Sequence, residues 1–467
     1  MDKKYRTLFT DALVFALGSL GSKLILFFLV PIYTNYLTTD EYGIADLVFT
    51  FVQLIVPFAT VSIQNSLIRF GMEKNANKEE TLKCSMAVIL FSVVFTLVVT
   101  PFVGLYSAIS DWKWYLAILV VLNGLSEVER SYLKVRDKNK SFAVISIIQT
   151  AVLAGCNILL LVVFKSGVSG YLLSNIIAVA VVCVITFFAA GIPKALTSAK
   201  LNVPLLKKMV VFSMPLVLSA VSWWVVHSSD RIMIELMIGE SVLGLYTAAT
   251  KIPSLINVVT SIFNQAWGLS SIREIDNPDK QHFYSKVFRM FSTALFMACI
   301  MLITILKPFL SVYFGADFRS AWVYTPLLLV AAVFFSLTAF IGSLYIALQK
   351  SLNDMITYLI CAFVNVVVNF VGILFLGAWG AVIGTVTAFA VVLVIRIIDI
   401  KRYIDLNIGG VRFFLNAVIA LAQAVCVSMD VYVYPVSAVA IVLFGALNYK
   451  EIAGFITSLT KTVFKNK

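Results

Sequence analysis

Residues 29–45 read Leu-Val-Pro-Ile-Tyr-Thr-Asn-Tyr-Leu-Thr-Thr-Asp-Glu-Tyr-Gly-Ile-Ala, and residues 237–246 read Met-Ile-Gly-Glu-Ser-Val-Leu-Gly-Leu-Tyr. In both, a long apolar run stops at a short acidic turn and a second apolar run begins at once. A glycine stands at the matching place in each, Gly43 and Gly244, 201 residues apart. So short a turn joins antiparallel helices, and about 20 apolar residues on either side is what a helix needs to cross a bilayer core. Two such hairpins at a fixed offset point to a duplicated membrane protein.

The rest of the chain extends this reading. Hydrophobic residues make up 61%, charged residues 13%, and mean hydropathy is +0.97. A soluble domain carries about 25% charged residues, so this chain needs lipid as its solvent. Apolar runs fall at 8–34, 42–66, 84–108, 113–133, 141–164, 168–191, 209–237, 242–270, 285–308, 321–347, 354–376, 379–400, 410–429 and 431–449. The expectation is an all-α polytopic membrane protein of about fourteen transmembrane helices. The first run contains Lys23 and has no small-x-small cleavage site, so it reads as an uncleaved first span.

The net charge of +12 raises nucleic acid as a partner, and its placement argues against one. Alternate loops collect Lys3, Lys4 and Arg6; Arg69 to Lys83; Arg130 to Lys140; Lys194 to Lys208; Arg273 to Arg289; Lys350; Arg396 to Arg412; and Lys450 to Lys467. The opposite loops hold Lys113, Lys165, Lys307 and Arg319. With 29 cations against 4, the positive-inside rule puts both termini in the cytoplasm. Six cysteines lie in or beside apolar runs without CxxC spacing, and there are two histidines. Neither disulfides, a metal site nor a cofactor is expected.

A second echo pairs Gly170–Ser174 with Gly380–Gly384, 210 residues apart, and Asn157 with Asn369 on the preceding helices. Small-xxx-small patterns let helices approach closely in lipid. Six spans per copy is an even number, so the repeat is parallel, with a substrate path between the halves. The expected organisation is an N-lobe over 1–192, a cytoplasmic interfacial linker over 193–208, a C-lobe over 209–400, and two extra helices with a tail over 401–467.

Residues 29–43, Asp230-Arg231 and residues 244–252 (Gly-Leu-Tyr-Thr-Ala-Ala-Thr-Lys-Ile) resemble the multidrug/oligosaccharidyl-lipid/polysaccharide (MOP) flippase superfamily, and within it the polysaccharide-transporter branch of Wzx-type flippases. The resemblance implies a MATE-like fold with two six-helix lobes and alternating access. The cargo it implies is an undecaprenyl-diphosphate-linked saccharide carried to the outer leaflet, with membrane lipids around it and a polysaccharide polymerase as a further partner.

An ionisable group in the hydrocarbon is costly and is a functional candidate by default. Lys23, Arg231 and Lys251 fall inside spans. Arg231 lies about eight residues from its turn, hence about 12 Å deep. These cations suit a diphosphate, since Arg binds bidentately and Lys acts as a point charge. The competing reading is structural: Arg231 has Asp230 beside it, and the lysines can snorkel. Gln64-Asn65 and Asn264-Gln265, 200 residues apart, could bond sugar hydroxyls or glue helices. Asp46 and Asp230 are the ion-coupling candidates. Glu127, Glu129 and Asp399 read as solvated partners of nearby bases. Trp223-Trp224 reads as packing before sugar stacking.

Three functions compete. A lipid-linked saccharide flippase uses buried cations. A cation-coupled multidrug exporter needs carboxylates to dominate the cavity. A membrane glycosyltransferase or polymerase needs a large outer loop with catalytic acids, and every loop here is short. No catalytic constellation and no Walker motif is present, so neither an enzyme nor an ATP-driven pump is expected.

Overall fold

The computed structural model describes the backbone of residue 21 and of residues 25–73, 76–275 and 277–464, and side chains there except at 265, 266, 269, 272, 273, 351 and 452–464. The described residues are helical throughout, with short connections. In chain order the helices are α1 Ile25–Tyr36, α2 Thr39–Ala59, α3 Ile63–Gly71, α4 Lys78–Val103, α5 Lys113–Val135, α6 Asn139–Asn157, α7 Gly167–Ala189 and α8 Ile192–Ser198. They continue with α9 Val203–Met237, α10 Glu240–Thr250, α11 Pro253–Arg273, α12 Lys280–Tyr313, α13 Thr325–Ala347, α14 Ser351–Leu376, α15 Ala378–Ile400, α16 Gly410–Ser428 and α17 Val433–Phe464.

Among the described residues, eleven helices are long and apolar enough to cross a membrane, or twelve if α10 and Pro253–Asn264, bent by 43°, form one span. This is a multi-pass membrane protein. The expected runs from 42 onward each meet a helix, and the first, 8–34, lies outside the described residues up to residue 24 except at residue 21. Of the fourteen, the two outside the twelve are α1 and α5, the latter carrying Lys113, Glu127, Glu129, Arg130 and Lys134.

Local chemistry sets the boundaries. Thr38 and Glu41 close a capping box at the start of α2: the Glu41 amide donates to Thr38 Oγ1 (3.2 Å) and the Thr38 amide to Glu41 Oε2 (2.9 Å). The expected run 42–66 is broken. After Pro57 the chain puts Val61 (φ 51°) and Ser62 (φ 49°) in the left-handed region before α3. A β-branched residue there is strained, and its neighbours must hold it. The expected run 242–270 breaks at Lys251-Ile252, ahead of Pro253.

The chain packs as two compact units, Met1–Glu235 with Gly239–Gly244, and Leu236–Ile238 with Leu245–Lys467. By packing, the division falls at the turn around residues 235–245, with nearly all of α9 in the first unit. α9 begins inside the 193–208 segment, and its Met209 carbonyl and Ser213 hydroxyl both bond Ser66 of α3 (2.6 and 2.5 Å). The expected surface linker helix shrinks to the seven residues of α8. Ile192 and Ala195 are buried with Leu82, Tyr132 and Leu133, and Lys83 Nζ donates to the Leu196 and Ala199 carbonyls (3.0 and 2.7 Å). Apolar burial of Ile192 and Ala195 ties α8 to the first unit.

In the second unit α13 is the buried centre, with α11, α12, α15 and α16 around it. Glycines set its tightest approach. A Cβ on Gly380 would collide with the Gly372 backbone, and one on Gly384 with the Asn369 side chain, so α14 and α15 pack backbone to backbone. The echo at Gly170 packs against the Leu160 carbonyl just before α7. Both small-residue stripes serve helix contact.

Candidate functional site

α2, α3, α5 and α9 of the first unit enclose a cavity of about 490 Å³. The break at Val61-Ser62 creates it. By ending α2 and restarting the helix, it turns Gln64 and Asn65 toward α5, which contributes Asn123 and Glu127 one turn apart. α2 adds Gln53 and Pro57, and α9 adds Trp223 and Trp224. The wall is thus amide-rich, with one carboxylate and two indoles. Gln64 Oε1 is sealed from solvent and accepts no hydrogen bond, and an amide oxygen in that state costs about 1–3 kcal/mol. Such a surface offers donors and acceptors to a hydroxylated ligand, and an aromatic face for a sugar ring.

The adjacent tryptophans do different things. Trp224 is buried and its Nε1 donates to the Thr50 carbonyl (2.8 Å), clamping α9 to α2. Trp223 is half exposed, with its ring 4.3 Å from that of His227. Both indoles line the cavity; Trp224 is also a packing residue, and Trp223 is the more exposed of the two.

About one and a half turns along α2, nearer the Thr39 turn, Arg231 Nε donates to Asp46 Oδ2 (2.6 Å). Arg231 Nη1 donates to the His227 carbonyl (2.7 Å) and lies 3.5 Å from Asp230 Oδ1, which accepts the Arg231 backbone amide (3.0 Å). The side chains are 17% (Arg231), 15% (Asp46) and 8% (Asp230) exposed, so water does little to screen them. One guanidinium thus stands between two carboxylates, Asp46 from α2 and Asp230 from α9, the kind of pairing that low-dielectric surroundings favour. Asp46 is therefore the counter-ion of Arg231 in this conformation.

Closer still to the turn, α2 crosses α10. A Cβ on Gly43 would collide with the Glu240 carbonyl, and one on Gly244 with the Thr39 carbonyl. Thr39 Oγ1 and Ser241 Oγ share a 2.8 Å hydrogen bond. The contact is reciprocal: 39 and 43 map onto 240 and 244 at the same 201-residue offset.

The structure therefore brings Arg231, Asp46 and Asp230 into one cluster, and Gln64 and Asn65 into the cavity beside it. Lys251 sits at the α10–α11 break and Asn264 in α11, with Asn264 Oδ1 buried and accepting nothing. Lys23 and the side chain of Gln265 lie outside the described residues.

Two acids and one base depart from the sequence reading, while Asp399 keeps the exposed Arg402 as its basic neighbour at 3.5 Å. Glu127 lines the cavity. Glu129 is 1% exposed, with the Cys183 thiol beside its carboxylate. Asp399 Oδ2 accepts from Tyr345 Oη and Asn353 Nδ2 (both 2.8 Å). Arg396, counted among the loop cations, is fully buried. It is paired with Asp354 (2.7 Å), donates to Thr357 Oγ1 and the Thr338 carbonyl (both 2.9 Å), and stacks 4.5 Å from the Tyr358 ring. The i, i+4 spacing of Asn123 and Glu127 on α5 was the available sign of a polar face.

A family described as "Polysaccharide biosynthesis protein" matches residues 8–268. A relative from Haemophilus influenzae, "Lsg locus putative protein 1", is 24% identical over 271 residues, covering 55% of this chain and 64% of the relative, just under two thirds of its length. Among solved structures, the chain is similar to the lipid II flippase MurJ in an inward closed conformation, with a TM-score of 0.70 at 14% identity over 94% of this chain and all of that one. It is also similar to a MOP superfamily transporter from Pyrococcus furiosus, with a TM-score of 0.61 at 13% identity, covering 84% and 95% of the two chains. A multidrug resistance MATE family transporter in an outward-facing conformation gives a TM-score of 0.58 at 13% identity over 88% and 96%. These likenesses establish the MOP-type fold.

Proposed function

Because the chain belongs to the polysaccharide biosynthesis protein family, with the fold of the MOP superfamily, we propose that it is a transporter that flips a polyprenyl-diphosphate-linked saccharide from the cytoplasmic to the outer leaflet by alternating access. The observation that carries this reading is the amide- and tryptophan-lined cavity between the apolar spans α2 and α9 and the helices α3 and α5. A site that bonds hydroxyls and stacks a ring is of no use to an acyl chain and fits a sugar headgroup. Arg231 supplies a cation one to two turns away; Lys23 and Lys251 are the further cations, and Asn264 and Gln265 the second amide pair. The diphosphate would take the place of Asp46 at Arg231, so Asp46 and Asp230 hold the guanidinium between cycles. In the second unit an apolar cavity of about 710 Å³, walled by α13, α15 and α16 beside Trp379 and Val425, supports α16 as part of the surface along which the prenyl tail stays in lipid.

The basic loops support a bacterial cytoplasmic membrane with both termini inside, an N-lobe of 1–192 rocking against a C-lobe of 209–400, and a polymerase taking up the product outside. A cation-coupled multidrug exporter is the second reading, and the carboxylate of Glu127 on the cavity wall favours it. Deleting the gene decides between them. The flippase reading expects undecaprenyl-linked saccharide to accumulate facing the cytoplasm and surface glycan to fall, with Trp223→Ala and Gln64→Ala reproducing part of the defect. Undiminished glycan delivery alongside raised retention of a cationic dye would overturn it in favour of drug export.

A further inference from the structure

We propose that the first unit holds a membrane-phospholipid phosphate in a basic pocket outside the transport cavity, where α5 turns into α6 and α7 into α8. The pocket is about 390 Å³ and gathers Arg136, Lys138, Lys194 and Glu79, with Phe188 at its rim. Two fixed turns place these residues. Asp137 (φ 55°) closes the α5–α6 turn, with the Lys138 amide donating to the Leu133 carbonyl (2.9 Å). Gly191 (φ 74°) caps α8 and lies 3.7 Å from Arg136 Nη1 when a Cβ is built on it. The cations thus come from two separate turns and meet in one concavity, rather than lying along one helix.

Three cations face one carboxylate. Lys138 Nζ is partly engaged, donating to the Ala189 carbonyl (2.7 Å). Neither Arg136 nor Lys194 makes an ion pair, although Glu79 lies in the same wall; the Arg136 guanidinium rests 5.8 Å over the Tyr132 ring. Among the described residues, this excess positive charge is paired with no carboxylate as counter-ion. Depth identifies the missing one. The pocket sits where span α7 ends, and Phe188, 69% exposed, carries apolar surface up to its edge. A ligand here meets hydrocarbon on one side and Arg and Lys on the other, which is the geometry of a phosphodiester headgroup with attached chains. Basic pockets between helices on the cytoplasmic side bind such headgroups. Arg136 supplies a planar fork for the phosphate oxygens and Lys194 a point charge. Glu79 leaves room for the ammonium of a zwitterionic headgroup.

The site is separate from cargo binding, so its test is independent of transport. The purified full chain is placed in nanodiscs of phosphatidylcholine doped with phosphatidylglycerol or phosphatidylethanolamine, and lipid retained on extraction is counted by native mass spectrometry. Arg136→Gln with Lys194→Gln should weaken phosphatidylglycerol retention about fivefold per charge, or about twenty-five-fold for the pair. Lys200→Gln with Lys207→Gln removes the same charge from the same face outside the pocket and should leave retention unchanged. Equal loss in both pairs reduces the effect to general surface charge and overturns the site. Saturable binding of inorganic phosphate without lipid retention overturns the lipid as occupant. Both variants should keep the unfolding midpoint, since these side chains are at the surface.

Discussion

A single ion pair shows what can and cannot be read at the scale of a residue. Arg231 is recognisable in the sequence as a charge in an apolar run, but its partner Asp46 lies 185 residues away and on a different helix. Hydropathy and distance from a turn give depth along a helix. They do not give the direction a side chain faces, so Glu129 and Arg396 look like members of solvated ends although both are buried. Removing one member of the pair strands the other charge. Arg231→Ala should cost about 3 kcal/mol, the lower end for a buried pair that loses one partner, read as a lower unfolding midpoint in detergent. Arg231→Gln combined with Asp46→Asn removes both charges of the pair and should recover part of that loss, because amides can replace the contact while the Asp230 carboxylate stays behind. The double variant also separates structure from cargo binding. Stable protein that fails to deliver surface glycan places Arg231 on the substrate, and stable protein with full delivery confines the pair to a structural role.

At the scale of the element, hairpins were legible because each needs only an apolar run, a short turn and a second run. The breaks were not. Nothing in Val61-Ser62 marks a left-handed backbone, and the isolated cue, Pro57, is tolerated inside α2, which continues to Ala59. That unmarked break is what opens the cavity at Gln64 and Asn65. Glycines divide in the same way, since their presence is visible but their surroundings are not. Gly380→Ala pushes a methyl into the Gly372 backbone, where no side chain can swing aside, and should cost about 3 kcal/mol, at the upper end for overpacking. Gly155→Ala meets nothing within 4 Å on an exposed face of α6 and should gain up to about 1 kcal/mol from helix propensity. Unfolding of the two variants in one detergent tests the contrast. Equal behaviour would mean that α14 and α15 do not meet at that glycine.

For the whole molecule the decisive sign is the 201-residue offset, because duplication constrains contacts as well as sequence. Gly43 faces the Glu240 carbonyl and Gly244 faces the Thr39 carbonyl; a pair of mapped positions that exchange partners is the mark of a two-fold relation, as in an isologous interface. Three contacts then line up along α2 from its first residue: Thr39 with Ser241, Asp46 with Arg231, and Thr50 with Trp224, before the cavity begins at Val52 and Gln53. If the turn end of α2 faces outward, as the placement of Lys and Arg argues, these contacts shut the cavity from the outside, and delivery requires them to part. Their parting can be blocked at the outermost pair. The two hydroxyl oxygens are 2.8 Å apart, close enough for sulfurs in their place to reach the disulfide length of about 2.05 Å after small rotations. With the six native cysteines replaced by alanine, Thr39→Cys with Ser241→Cys should oxidise readily, halt glycan delivery, and resume it after reduction. Either single cysteine variant should be indifferent to oxidant. Full cross-linking with undiminished delivery would show that α2 and α10 stay together throughout the cycle, and the exit path would then have to lie elsewhere in the molecule.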